Sequence, residues 1–257
     1  MSHEHPIRIA PLTKPIYIHY TNDSVVLPPE LAQKIEAYWQ ERSSQNPHLF
    51  NGDQFTLTSY QDTPEAINVT MAPTTFATCL YSLNHDDAGE YAHKVFHSAC
   101  IVITSDNKLV VGQMAKDTAR AGVICCSGGA IDRGDIRGNA IDLTYSTTHE
   151  LQEELGIDPY DDHVTSYRPA YIKTGGPHNI TTVLYELHTK LDSVAFARAY
   201  NAFIAKLAQN NEEIEFERLF YVDNAPAAVE QFIAEHGPQL DSYIPALFRT
   251  LSSSQTD

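Results

Sequence analysis

The spacing of apolar and polar positions changes along the chain, and each change marks an element. Residues 7–12 and 16–20 read as short strands. A helix follows, with Pro28 and Pro29 in its first turn and Leu31, Ile35, Tyr38 and Trp39 spaced for one buried face. It should stop before Asn46-Pro47, because a residue preceding proline avoids helical geometry. Asn51-Gly52 is a turn signal, and 55–58 alternates as a strand. The stretch 73–92 is mixed, with Asn84-His85-Asp86-Asp87 as a connecting loop and a boundary close by. From His93 onward longer strands dominate: 95–104, a turn at Asp106-Asn107, then 109–114 and 123–126, the last running into Gly128-Gly129. A polar loop leads to a helix ending at Gly156. Strands at 166–173 and 181–188, a helix at 193–209, a strand at 214–222 and helical segments at 227–236 and 240–251 complete the pattern. Strands and helices in this order, without regular βαβ alternation, predict an α+β fold. The expected division is an N-terminal α/β region over 1–92 and a second domain over 93–257.

Composition narrows the function. The 257 residues are 42% hydrophobic and 19% charged, ordinary for a globular enzyme, but the net charge is -16. So acidic a body repels nucleic-acid polymers and anionic membranes. If it acts on phosphates, it needs local positive charge, and a divalent cation is the usual source. Cys79, Cys100, Cys125 and Cys126 form neither a disulfide ladder nor a C-x-x-C pattern, and read as buried small apolar residues in a reducing compartment. The start, MSHEHPIRIAPL, lacks the basic and apolar regions of a signal peptide, so a cytoplasmic location is expected.

The chemistry concentrates in residues 149–157, His-Glu-Leu-Gln-Glu-Glu-Leu-Gly-Ile. On a helix, Glu150, Glu153 and Glu154 fall at i, i+3 and i+4, one stripe, while Leu151 and Leu155 face elsewhere. Three carboxylates near a helix C-terminus repel one another and oppose the macrodipole, so they favour a cation. Oxygen ligands without thiolate or imidazole favour Mg2+ or Mn2+. A solvated acidic face is the plain alternative for such a cluster. Upstream, a strand ends in Gly128-Gly129, where the backbone can approach a carboxylate cluster with no side chains between.

Together these segments resemble the Nudix box, G-x5-E-x7-R-E-U-x-E-E-x-G-U with U a bulky aliphatic residue. Gly129 followed by five residues reaches Asp135, an acid where the family has Glu, and 150–157 matches the helix half. Two departures stand out: His149 replaces the family arginine, and the spacer grows to the thirteen residues 136–148. The resemblance implies a Nudix-type α/β/α sandwich, here with an additional N-terminal α/β region. It implies Glu150 and Glu154 as main metal ligands, Glu153 as a further ligand or base, and the Gly128 carbonyl as a backbone ligand. His149 would take the arginine's place in orienting Glu150, though it is shorter and not permanently charged.

A further acid is expected from outside the box. In 212–217, Glu213, Glu215 and Glu217 would share one strand face, and Glu215 is the first candidate. Lys116, Arg120, Arg133 and Arg137 are candidates to meet substrate phosphates, and Lys173 and His178, in a loop over 173–179, to line the substrate mouth. The region 35–55, with Trp39 and Asn46-Pro47-His48-Leu49-Phe50-Asn51-Gly52, resembles the leading part of proteins related to UDP-glucose pyrophosphatases. The expected function is Mg2+-dependent cleavage of the diphosphate bond of a small nucleoside-diphosphate compound such as a nucleotide sugar, by a protein that could work as a homodimer. A catalytically weak nucleotide-binding or regulatory module of the same fold is the alternative, and an acidic partner-binding protein is a third reading.

Overall fold

Alternation along the central strands sets the layering. In β5 (Phe96–Ile103), Cys100 and Val102 point to one core, whereas Ala99, Ile101 and Ile103 point to another. In β6 (Lys108–Met114), Val110 joins the first core, and Leu109 and Val111 the second. A strand buried on both faces needs cover on both. Helices α3 (Leu143–Leu155) and α4 (Ser193–Asn210) close one face, through Leu151, Leu155, Phe196 and Tyr200. Helices α5 (Pro226–His236) and α6 (Ile244–Ser253) close the other, through Val229, Phe232, Leu247 and Phe248. The result is a three-layer α/β/α arrangement. It is seen in a computed structural model that describes residues 5–46, 49–118 and 120–253, the side chain of His178 excepted.

The large sheet has the order β1-β10-β11-β5-β6-β12, from β1 (His5–Pro11), β10 (Val164–Gly176), β11 (Thr181–Thr189) and β12 (Phe216–Asp223), with the short β7 (Ile124–Cys125) also paired to β6. Only β11 and β5 run parallel in it. A second sheet, order β2-β4-β3, comprises β2 (Ile16–Tyr20), β3 (Asp53–Asp62) and β4 (Ile67–Thr75). Helices α1 (Pro29–Gln45) and α2 (Phe76–Asn84) pack together through Leu31, Ile35, Ala77 and Tyr81. A two-stranded ribbon, β8 (Ile136–Arg137) and β9 (Ala140–Ile141), precedes α3. No helix among the described residues is long and apolar enough to cross a membrane.

Several sequence expectations shift. The mixed stretch 73–92 contains the end of β4 and the whole of α2, which Thr75 caps by accepting the Thr78 N–H. Pro73 inside β4 masked the strand, since proline cannot donate to a ladder. The loop expected over 173–179 begins only at Pro177, because β1 pairs with β10 as far as Gly176. Gly175 has φ +79°, and a side chain there would strike the Pro6 carbonyl, so β1 passes directly over it. The strand expected from 214 starts at Phe216, leaving Glu213 and Glu215 ahead of the ladder rather than on one of its faces. Residues before 93 also divide between the two sheets. β1 belongs to the large one, while Ile18, Phe55, Val69 and Met71 share a core with β5 and α3.

Candidate functional site

Helix α3 carries Glu150, Glu153 and Glu154, and its ends are well defined. Asp142 accepts the Tyr145 N–H at 3.0 Å, and Gly156 closes the helix in the left-handed conformation, φ 68°. Residues 136–148 form the β8–β9 ribbon and the first turns of α3. Thr147, in the second turn, is fully buried and donates to Ser98 of β5 at 2.8 Å, which anchors the helix on the sheet.

This seating turns Glu154 inward, 4% exposed, where its Oε2 accepts the Gly128 N–H at 2.8 Å. Glu150 lies against Gly129 so closely that a Cβ at Gly129 would collide with its carboxylate. Glu215 arrives from the segment before β12, with its carbonyl accepting the Ala115 N–H at 2.7 Å. The three acids line one cavity of about 270 Å³, together with Gly128, Gly129, Arg120, Asp241 and Tyr243. Glu215 and Glu154 are near enough to share a hydrogen bond. Burial, then Glu215 and the further acids around it, pushes the Glu150 carboxyl up to about 8. Burial, then Glu150, holds Glu154 well above the usual carboxylate range, and burial raises Glu215 as well. The protein therefore crowds negative charge here without offsetting it.

The other candidates separate. Glu153 is exposed and accepts a contact from His149 Nδ1 at 3.2 Å. The His149 imidazole, expected to orient Glu150, here meets its i+4 neighbour Glu153 and stacks on Tyr145. Arg120 lines the acid cavity and pairs with Asp241. Arg133 instead binds Asp53 at 2.6 Å, joining the loop after Gly129 to β3. Arg137 donates to the Gly134 and Ile136 carbonyls and lies over the Tyr145 ring, a structural role for the ribbon. Lys116 is exposed and is not among the residues lining the acid cavity. The side chain of His178 lies outside the described residues, as do Pro47 and His48. Asp135 accepts the Asp132 N–H and closes a capping box, so it shapes the loop.

Lys173 is 2% exposed, and its Nζ donates to the Ile180 carbonyl at 2.9 Å. Burial pushes its ammonium down to about 8 from 10.5, against the opposing pull of Asp241. Between those values the unfolded chain binds more protons than the folded one, so this group makes stability rise with pH from 8 to 10.5. Urea midpoints measured at pH 8 and pH 10 should therefore rise less in Lys173→Met than in the wild type. Equal slopes would show that the amine is solvated.

Asp241, Tyr243 and His97 were not visible as site residues in the sequence. Asp241 is placed by its N–H to the Ile124 carbonyl at 2.9 Å, and the Tyr243 hydroxyl accepts the Cys126 N–H at 3.3 Å. No motif marks Asp241 and Tyr243, because only the return of the chain across β7 brings them to the glycines, while His97 comes from β5, where it bridges to Ala130. All four cysteines are free and buried, as expected. Among the described residues, no three His, Cys, Asp or Glu side chains stand as a closed metal-ligand group.

No family model matches the chain, and no curated protein matches it. Solved structures with a similar shape include the MutT protein from Methanosarcina mazei Go1, at 10% identity and TM-score 0.37 over 64% of this chain and 96% of that one. A NUDIX-family hydrolase from Clostridium perfringens is similar at 14% identity and TM-score 0.38, over 63% and 98%. The NUDIX domain of Shewanella oneidensis NrtR, complexed with ADP ribose, is similar at 12% identity and TM-score 0.37, over 69% and 97%.

Proposed function

We propose that this chain is a Nudix-type, divalent-metal-dependent hydrolase that cleaves the diphosphate linkage of a small nucleoside-diphosphate compound. The observation that carries the reading is the convergence of Glu150 and Glu154 from α3 with Glu215 on one cavity against Gly128-Gly129. These residues suit Mg2+ or Mn2+. The donors are hard oxygens, their raised proton affinity marks a charge deficit, and the missing side chain at Gly129 leaves room for the Glu150 carboxylate. Glu150 and Glu154 would hold the ion, with the Gly128 carbonyl beside them. When bound, the ion supplies the positive charge that offsets charge building on the phosphates and acidifies water.

The chain's own groups do the rest. Arg120 and Lys173 bind the remaining phosphate oxygens, Arg120 releasing Asp241 in part to do so. Glu215 accepts, on a carboxylate oxygen, the proton lost by the attacking water. A new P–O bond forms to that water, the bridging P–O bond breaks, and two phosphate-bearing products leave. Glu153, steadied by His149, stands at the rim as a further ligand or base. UDP-glucose or a related nucleotide sugar is the first substrate to test, with a nucleoside monophosphate and a sugar phosphate as products.

A panel of diphosphate compounds incubated with Mg2+ in oxygen-18 water, read by mass spectrometry, tests this directly. One phosphate product must gain a single heavy oxygen. Glu215→Gln should lower turnover about 100-fold or more, within the range of general-base catalysis, while Mg2+ still binds. His149 at the arginine position, out of contact with Glu150, favours a second reading: a nucleotide-binding module with little turnover. Tight metal-dependent binding with no cleavage across the panel would select it.

A further inference from the structure

The cavity of the three glutamates holds a fourth carboxylate, Asp241, and one permanent cation among the described residues that line it, Arg120. His97 also lines it, but burial pushes that imidazole down to about 4 and keeps it neutral. Arg120 is engaged with Asp241: the two side chains form an ion pair, and among the described residues the guanidinium bonds to no glutamate. Burial, which would lower the Arg120 guanidinium, is outweighed by Asp241, which raises it. The two partners are not equally free. Asp241 donates its N–H to the Ile124 carbonyl at 2.9 Å, and its own carbonyl accepts the Ile244 N–H at 2.9 Å. Leu240 beside it bridges to Ile124, so the backbone here is fixed to β7. Arg120 comes from the loop between β6 and β7, and half of its long side chain is exposed. It also borders an open cleft of about 830 Å³ that Glu213 and Glu215 line.

We propose that Asp241 is a positioning residue, which parks Arg120 at the cavity wall and so keeps Glu150, Glu154 and Glu215 open for a divalent cation. The proposal rests on the reading of this cavity as a metal site. Carboxylates crowded without compensation attract any cation within reach, and a guanidinium carries a fork of N–H donors that fits them. A loose Arg120 would therefore settle on the glutamates and put its charge where the metal ion has to go. Asp241 prevents this because it offers the guanidinium a carboxylate that the backbone holds in one place. It need not touch the ion to control how well the ion binds. Lys173, which also feels the charge of Asp241, is tied to the Ile180 carbonyl at 2.9 Å and does not take the place of Arg120.

Titrations of the full-length protein with Mn2+ alone, followed by electron paramagnetic resonance, provide the test. Asp241→Asn should bind Mn2+ about tenfold more weakly, the scale of one charge-assisted hydrogen bond that now holds Arg120 on the acids. Arg120→Gln should bind it at least as tightly as the wild type, and adding that change to Asp241→Asn should restore the affinity. Asp241→Ser carries the same expectations and serves if Asp241→Asn folds poorly, while Asp241→Glu, which keeps the charge, should stay near the wild type. On a cleaved diphosphate, the rate of Asp241→Asn should recover as Mg2+ is raised. A damaged fold would instead lower the rate at every Mg2+ concentration. Crystals of Asp241→Asn grown in EDTA should show the guanidinium bonded to one of the three glutamates. A double variant as weak as Asp241→Asn would make Asp241 itself a ligand and overturn the proposal. Arg120 unmoved in those crystals would overturn it equally, since any loss of affinity would then come from the missing charge alone. A wild type that binds no Mn2+, with Arg120 moved in the variant crystals, would remove the metal reading and uphold the hold of Asp241 on Arg120.

Discussion

Glu150→Gln and Glu154→Gln are each expected to lower metal-dependent cleavage by about 1,000-fold, or ~4 kcal/mol of transition-state stabilisation. Both should also weaken Mn2+ binding in titrations followed by electron paramagnetic resonance. The fold should survive, because each change removes a charge from a crowded, poorly solvated cluster. For Glu150 the sign is definite. Its folded pKa, about 8, lies above the unfolded value of 4.5, so the folded state holds more protons between these limits. Its contribution to stability is fully present below pH 4.5 and is lost as pH rises toward 8. In EDTA, the urea midpoint of Glu150→Gln should therefore gain on the wild type between pH 5 and pH 8. Unchanged Mn2+ affinity in both variants would remove this site from the mechanism.

The glycine pair should divide cleanly into function and stability. At Gly129 an added methyl meets the end of the Glu150 side chain, which can swing aside. Gly129→Ala should fold with a melting temperature close to the wild type, yet lose on the order of 100-fold in turnover as the carboxylate leaves its place. At Gly128 the backbone has φ +152°, and a methyl would strike the Ser98 carbonyl and the Ala99 backbone. Neither can move without bending β5, so Gly128→Ala should destabilise the protein by about 1–3 kcal/mol. Thermal melts and steady-state rates on the two variants check this. A Gly129→Ala enzyme with full activity would show that Glu150 need not lie against the glycine.

The acidic stripe was legible because helical spacing alone puts Glu150 and Glu154 one turn apart, and Gly156 ends the helix whatever it packs on. The strands of the large sheet were legible for a similar reason: β5 and β6 are apolar on both faces, which local pattern records directly. β4 and α2 were not, since Pro73 interrupts the strand signal and a nine-residue helix is mostly held by what it packs against. Among the site candidates, sequence alone could not separate one basic residue from another. Arg120 stands at the acids, while Arg133 and Arg137 are taken up by Asp53 and by the ribbon. Charge is a property of the residue, but its partner is a property of the fold. The inward turn of Glu154, the outward turn of Glu153 and the arrival of Asp241 and Tyr243 beside the glycines were decided the same way. Each depends on which face of α3 the sheet covers and on where the chain end returns. Contacts between residues far apart in sequence fix both, and no local pattern records them.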